Sequence, residues 1–489
     1  LKLLTRLIKR KDVTGLINAC DAGREGELIF SFIVQHSGST KPVQRLWLQS
    51  MTANAIREGF AQLRAAADVE GLREAAVCRA ESDWLIGING TRAMTAFNSK
   101  TGGFHLTTVG RVQTPTLALV VEREEKIRAF RPTDYWELEA SFGCQAGAYV
   151  GRWFDEGFRK PEEGAPLAEH ATAFRLWEKA RAEAIKAKCE GKTGTVEEES
   201  KPSTQLSPLL FDLTSLQREA NGRFGFSART TLQLAQALYE KHKVLTYPRT
   251  DARALPEDYV GQVPGILGGL PDEYAPFANQ IVKQGWAKPN KRIFNNAKIS
   301  DHFAIIPTGT APKSLSEAEA KIYDLVTRRF LSVFYPAAEY RITTRITRVE
   351  GEAFKTEGKI LVNPGWLAVY GKSAAVSEDE GGAPQLVAVE PGEKVSTDEI
   401  LVKSLVTKPP ARFNEATLLS AMEGAGKMVD DEELRAAMAG RGLGTPATRA
   451  QIIENLIGET YMLRDGKELI PTAKAFSLIT LLRGLGTNE

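Results

Sequence analysis

Thr246-Tyr247-Pro248-Arg249-Thr250-Asp251 sets a tyrosine two residues before an arginine. A tyrosine hydroxyl is a weak nucleophile at its ordinary pKa of about 10. A neighbouring guanidinium favours the phenolate and binds phosphate through paired hydrogen bonds. Pro248 and the polar residues after it put Tyr247 at a strand-to-turn junction, where a side chain can face a cleft. As one of eleven tyrosines, it equally suits simple packing within a helical surrounding. Farther along, Asp301-His302-Phe303-Ala304-Ile305-Ile306-Pro307-Thr308 carries one of five histidines. His302 can protonate a leaving oxygen or bind a phosphate. The plainer reading is a structural histidine beside an apolar strand.

Two further segments have the residue types for phosphate and metal chemistry. Asp21-Ala22-Gly23-Arg24-Glu25-Gly26-Glu27 follows a short apolar run, Leu16 to Cys20, that suits a buried parallel strand. Open α/β sheets place their ligands at the carboxyl ends of such strands. Magnesium takes one or two carboxylates and keeps several waters, so Asp21 with Glu25 can hold it. Alternatively, Asp21 caps the following helix and the glutamates complement its dipole. Thr108-Val109-Gly110-Arg111-Val112-Gln113-Thr114-Pro115 leads into a helix start and offers amides and side-chain donors to phosphates. Upstream, Trp84 can stack on a base and Arg92 can pair with a phosphate. An ordinary amphipathic helix with Trp84 in the core is the competing reading.

The elements that must position these residues are legible as patterns. Glu27 to Val34 resume a helical repeat after the strand at 16–20, and residues 51–97 are largely helical. Tyr135 to Phe142 alternate as a strand does, as do 340–370 and 386–406. Between these β-rich stretches lies a helical insert, about 205–340, with Ser227 as the N-cap of ARTTLQLAQALYEK. Residues 377–384 form a solvated loop, and the final 75 or so residues return to helices. A β-rich region interrupted by helices implies a non-sequential architecture, a ring or clamp.

Composition bounds the possibilities. The 489 residues are 43% hydrophobic, and 63 basic against 61 acidic side chains leave a formal charge of +2. That excludes a wholly disordered or collagen-like chain. No run of 18 apolar residues occurs, so no membrane span is expected. Near-neutrality does not exclude nucleic acid, since only local potential matters for a groove. Four cysteines, at 20, 78, 144 and 189, form no zinc spacing and suit a reducing, cytosolic compartment, with the thiols acting as small apolar residues.

DAGREGEL, ESDWLIGINGTRAMT, VGRVQTPTLALVVERE, LFDLTSLQREANGRFGFSARTTLQLAQALYE, LTYPRTDARALP, DHFAIIPTG and GLGTPATRAQIIENL stand in one order. Together they resemble successive blocks of the type IA DNA topoisomerases, specifically the bacterial topoisomerase III branch. The resemblance covers nearly the whole chain and is weakest around 143–200 and 375–400. It implies a toroidal multidomain fold of α/β, α and β parts. These are a partial Toprim domain at 1–48, a helical DNA-binding domain at 49–130 resumed at 407–489, a β-rich hinge domain at 131–204 resumed at 341–406, and a helical domain carrying the nucleophile at 205–340. It further implies that Tyr247 attacks a phosphate of single-stranded DNA, that Arg249 orients that phosphate, and that His302 lies at the cleavage site. Asp21 and Glu25 would bind Mg²⁺. Trp84, Arg92, Thr108, Val109, Gly110, Arg111, Val112 and Gln113 would contact DNA together with Arg249. The implied enzyme needs no ATP and works as a monomer on single-stranded and underwound DNA in the bacterial cytoplasm, at the nucleoid. A helicase and a single-strand binding protein are its implied partners.

Two departures from the family pattern shape the expectations. Gly23 occupies the middle of an acidic triplet that is often Asp-x-Asp-x-Glu, which predicts a weaker or more hydrated metal site. A Glu-Lys-Pro-Ser-like opening strand has no counterpart from Leu1 onward, and the last helical domain stops at Glu489. A chain trimmed at both ends, folding incompletely around 1–48, is therefore expected. Two other classes remain open at this point: a Toprim nuclease or primase, which leaves no protein on DNA, and a single-strand-binding clamp without chemistry.

Overall fold

The computed structural model describes residues 1–100, 102–162, 168–371, 386–390, 392–428 and 442–484. Residues 377–384, expected as a loop, lie outside them. The chain packs as two compact units, one of residues 1–125, 208–334 and 412–489, the other of 126–207 and 335–411. Among the described residues no helix is long and apolar enough to cross a membrane.

In the first unit, α1 (Lys2–Ile8) precedes a small sheet. There β1 (Leu16–Asn18) runs parallel to β2 (Val43–Arg45), and β2 is antiparallel to β3 (Arg64–Ala65). The crossover between β1 and β2 is α2 (Arg24–Ser37), which ends at Gly38 in the left-handed conformation that glycine adopts without steric cost. Arg45 at the end of β2 is 1% exposed. Its Nε meets Glu27 Oε1 at 2.5 Å, while its Nη atoms donate to the carbonyls of Asn18, Cys20, Asp21 and Leu46. A buried guanidinium is tolerable only when paired and hydrogen-bonded in this way. The network ties the whole strand-to-helix turn to β2.

Next come α3 (Ala53–Ala61), capped by the Thr52 hydroxyl, the 29-residue α4 (Glu70–Asn98) and α5 (Gln113–Ala129). Met94 of α4 and Leu117, Val120 and Val121 of α5 share a buried cluster with Leu418, Met422, Ile453 and Ile479 of the helices Glu415–Gly424, Pro446–Gly458 and Ala473–Gly484. Each such side chain removed from water stabilises the unit by roughly 1.5–3 kcal/mol. The segment 208–334 brings α7 (Leu213–Phe224), capped by Asp212, and α8 (Ala228–Glu240), capped by Ser227. Ala228 joins the same cluster.

The second unit is a closed antiparallel barrel. Its strands β4 (Asp134–Cys144), β5 (Gly147–Phe154), β6 (Thr193–Gln205), β7 (Ala338–Val349), β8 (Glu352–Asn363) and β9 (Lys394–Val406) are ordered β4-β5-β8-β7-β6-β9. Closure leaves no free sheet edge. Along β4, Leu138, Ala140 and Phe142 point into the core at period two, and the Phe142 ring packs tilted against Tyr149 and edge-on to Phe354. The helix α6 (Lys179–Cys189) covers this core with Ala182, Ile185 and Cys189.

Candidate active site and nucleic-acid interface

Two short stretches far apart in the chain are zipped together around Tyr247. Leu245 forms an antiparallel bridge with Pro307. The Thr246 amide donates to the Ile306 carbonyl at 3.0 Å, and its hydroxyl accepts from the Ile306 amide at 2.9 Å and donates to the Ala304 carbonyl at 3.1 Å. Thr250 Oγ1 donates to the His302 carbonyl at 2.8 Å. Ala304, Ile305 and Ile306 are fully buried and anchor the pairing. Tyr247 and His302 are thereby brought together, ring centroids 4.4 Å apart and tilted by 51°, with Tyr239 of α8 edge-on to Tyr247 at 5.3 Å.

The electrostatics around the tyrosine differ from the simple expectation. Burial pushes the Tyr247 phenol above its usual pKa, and the nearby Arg249 guanidinium, which pulls it down, does not overcome that effect. Tyr247 is therefore held as the neutral phenol. Arg249 itself is exposed and makes no ion pair among the described residues, so its donors are free for an incoming anion. His302 Nε2 lies 3.5 Å from Asp21 Oδ2. Burial lowers the imidazole's pKa, but the hydrogen bond to Asp21 and the charges of Asp301, Asp21 and Asp251 outweigh it, for a net rise. Reciprocally, that hydrogen bond and the charges of His302 and Arg45 hold the Asp21 carboxyl below the usual range against its partial burial.

The turn after β1 reaches this cluster because Arg45 and Glu27 fix it. Gly26 is pressed against it: a Cβ there would lie 2.1 Å from the Asp21 carbonyl oxygen. Gly23 is extended, a conformation open to any residue, and a Cβ on it would sit 3.7 Å from the Asp301 carboxylate. Asp301 Oδ1 accepts from the His302 amide at 3.0 Å and lies 2.8 Å from Ser300 Oγ, which is 3.0 Å from Asp251 Oδ1. Glu25 points elsewhere, toward Arg79 of α4 at 3.6 Å.

The 107–113 loop lies along α4. Val109 exchanges hydrogen bonds with the Thr91 hydroxyl, and its side chain crowds Gly90, where a Cβ would come within 3.0 Å of Val109 Cγ1. Val109 and Val112 pack against the core cluster, and the Gly110 amide donates to Thr114 Oγ1 at 3.0 Å. Arg111 Nε is 2.6 Å from Asp83 Oδ1. Thr108 Oγ1 and Gln113 Nε2 both donate to Glu459 Oε2, the latter at 3.2 Å. Trp84, by contrast, is 62% exposed, which removes the core-packing reading, and Arg92 is exposed with no partner among the described residues.

A family model described as DNA topoisomerase matches residues 68–488. The chain belongs to the DNA topoisomerase family. It is 41% identical over 484 residues to DNA topoisomerase 3 of Bacillus subtilis and 40% identical over 481 residues to that of Bacillus licheniformis, in each case over 97% of this chain and 63% of the relative. The chain thus spans less than two thirds of the length of the curated relatives it matches. Among solved structures it is similar to the full-length topoisomerase I of Thermotoga maritima, with a TM-score of 0.68 at 21% identity, over 99% of this chain and 72% of that one. That likeness concerns the fold, a multidomain mixture of helices and sheets.

Within this topoisomerase-family chain, sequence reasoning missed Asp301, Asp251, Glu27 and Glu459. Asp301 and Asp251 sit inside blocks already singled out for His302 and Tyr247, so their proximity was available as a signal. Nothing in the sequence pointed to Glu27 as the partner of Arg45, or to Glu459 as that of Thr108. As for a metal, no group of three or more His, Cys, Asp or Glu side chains is arranged for one among the described residues. Asp21, whose carboxylate is 59% exposed, suits magnesium, which keeps most of its waters. Glu25, drawn to Arg79, suits it less well. A cavity of about 510 Å³ lined by Arg229, Glu415, Glu454, Arg464 and Lys467 includes none of these residues.

Proposed function

We propose that this chain carries the cleavage and resealing centre of a topoisomerase III-type enzyme. The observation that carries the reading is the juxtaposition of Tyr247 with His302 and Asp21, beside the exposed Arg249. Tyr247 Oη attacks a backbone phosphorus of single-stranded DNA, forming a 5′-phosphotyrosine bond as the bond to the 3′ oxygen breaks. The phenolic proton is lost and the departing oxygen gains one, leaving a free 3′-hydroxyl. Because Tyr247 starts neutral, its proton must leave as the new bond forms. Arg249 binds the scissile phosphate and stabilises its developing charge. A second strand passes through the break, and the 3′-hydroxyl then attacks the phosphotyrosine and restores both starting groups. The phosphodiester energy is conserved, so no ATP is consumed, and the outcome is relaxation of negative supercoils and decatenation.

Asp21 would hold Mg²⁺, with Glu25 leaving Arg79 to join it; the ion supplies positive charge beside the DNA phosphates. Trp84 and Arg92 offer stacking and phosphate contacts along α4. The enzyme acts as a monomer in the bacterial cytoplasm, at the nucleoid, on DNA opened by a helicase and managed by a single-strand binding protein. The test is covalent trapping with a 3′-labelled single-stranded oligonucleotide. Labelled protein is expected from the unaltered chain and none from Tyr247→Phe; an adduct surviving that substitution would show that another residue is the nucleophile.

A further inference from the structure

Glu459 is 351 positions from Thr108 in the chain, yet one of its carboxylate oxygens receives both the Thr108 hydroxyl and the Gln113 amide. Gln113 Nε2 also lies 3.2 Å from Thr108 Oγ1, so the three groups form a closed cluster. Two neutral donors converging on one anionic oxygen is the arrangement a DNA phosphate oxygen would meet. Two features argue that the carboxylate is not there for stability. Glu459 is the C-cap of the helix Pro446–Gly458, where the macrodipole disfavours negative charge. Nor does any cation pair with its carboxylate among the described residues: Lys474 Nζ, the neighbouring ammonium, donates instead to the Glu459 backbone carbonyl at 2.8 Å.

We infer that Glu459 is an internal competitor for phosphate, holding the Thr108 and Gln113 donors that a DNA phosphate takes over on binding. The inference rests on the reading of the 108–113 loop as a nucleic-acid contact and deepens it. When phosphate arrives, the Thr108 and Gln113 hydrogen bonds transfer from carboxylate to phosphate, and the two anions repel. The loop therefore binds DNA less tightly than its donor set alone would permit, which eases release of the strand.

The experiment measures affinity of the whole chain for a single-stranded oligonucleotide across a salt series. Glu459→Gln keeps an acceptor oxygen for both donors and removes only the charge. Removing one like charge some 6 Å away in water strengthens binding about threefold at low salt. The gain should fade as added salt screens the repulsion. Glu459→Asp, which keeps the charge, should give no gain, and an unchanged melting temperature identifies folded variants. Binding by Glu459→Gln that is unchanged or weaker at every salt concentration overturns the inference, as does an equal gain from Glu459→Asp. If the unaltered chain binds no oligonucleotide at all, the DNA reading of the loop falls first, and the inference falls with it.

Discussion

Arg249 and Tyr247 are two residues apart, yet their effects on the reaction are separable. Burial keeps the tyrosine protonated despite the guanidinium, so in the proposed reaction Arg249 acts on the phosphate rather than through a standing phenolate. Arg249→Ala should lower the single-turnover cleavage rate by about a hundredfold, the usual cost of losing one charge-stabilising donor. Because the side chain is exposed, the melting temperature should not move. A rate within a fewfold of the unaltered protein would assign phosphate stabilisation to another group. The arginines 111 and 249 also differ: the first is paired with Asp83, the second has no ion pair among the described residues.

At the scale of the element, the turn between β1 and α2 tolerates little change. Gly26→Ala drives a methyl into the Asp21 carbonyl, so α2 or the turn must shift. The expected result is loss of adduct formation together with a lowered melting temperature. Glu27→Ala leaves the Arg45 guanidinium buried without its counter-ion, which costs about 3–5 kcal/mol; chemical denaturation of the two proteins side by side measures it. Nearby, Asp258 Oδ2 accepts from the hydroxyls of Ser50 and Thr52, and Gln49 Nε2 donates to the carbonyls of Ile299 and Ser300. These polar contacts join the sheet region to the tyrosine-bearing segment. Asp258→Ala should raise hydrogen exchange at 50–55 and 257–261, and unchanged protection there would mean that the contacts do not hold the two regions together.

For the whole molecule, the +2 net charge predicts little about DNA, because binding depends on which cations are free locally. Affinity for single-stranded DNA should still fall steeply with salt, as each neutralised phosphate releases counter-ions. A salt-independent affinity in a titration would exclude a phosphate-based interface. The cysteines also divide, contrary to the expectation that all four act as small apolar residues: Cys189 is buried under the barrel, its thiol pushed up to about 11 by burial, whereas Cys78 is exposed. A thiol reagent at neutral pH should therefore modify Cys78 promptly and Cys189 only on unfolding, as peptide mapping would reveal.

What the sequence determined by itself was local and serial. The β4 alternation, the Ser227 cap and the order of seven motif blocks are short-range patterns, and they were enough for the mixed multidomain class and the topoisomerase family. Within residues 1–48 the serial reading located the strand and the helix after it, β1 and α2, whereas the pairing of β1 with β2 and of β2 with β3 was decided by packing. Charge partners were decided only in three dimensions. Glu25 and Glu27 are two residues apart in one acidic motif, yet one faces Arg79 on the surface and the other is buried on Arg45. Arg111 and Gln113 look alike as donors in one loop, yet each is held by a carboxylate from a different helix end or face. Periodicity and motif order are set by neighbours along the chain, whereas a charge's partner depends on which distant segments packing brings within a few ångströms.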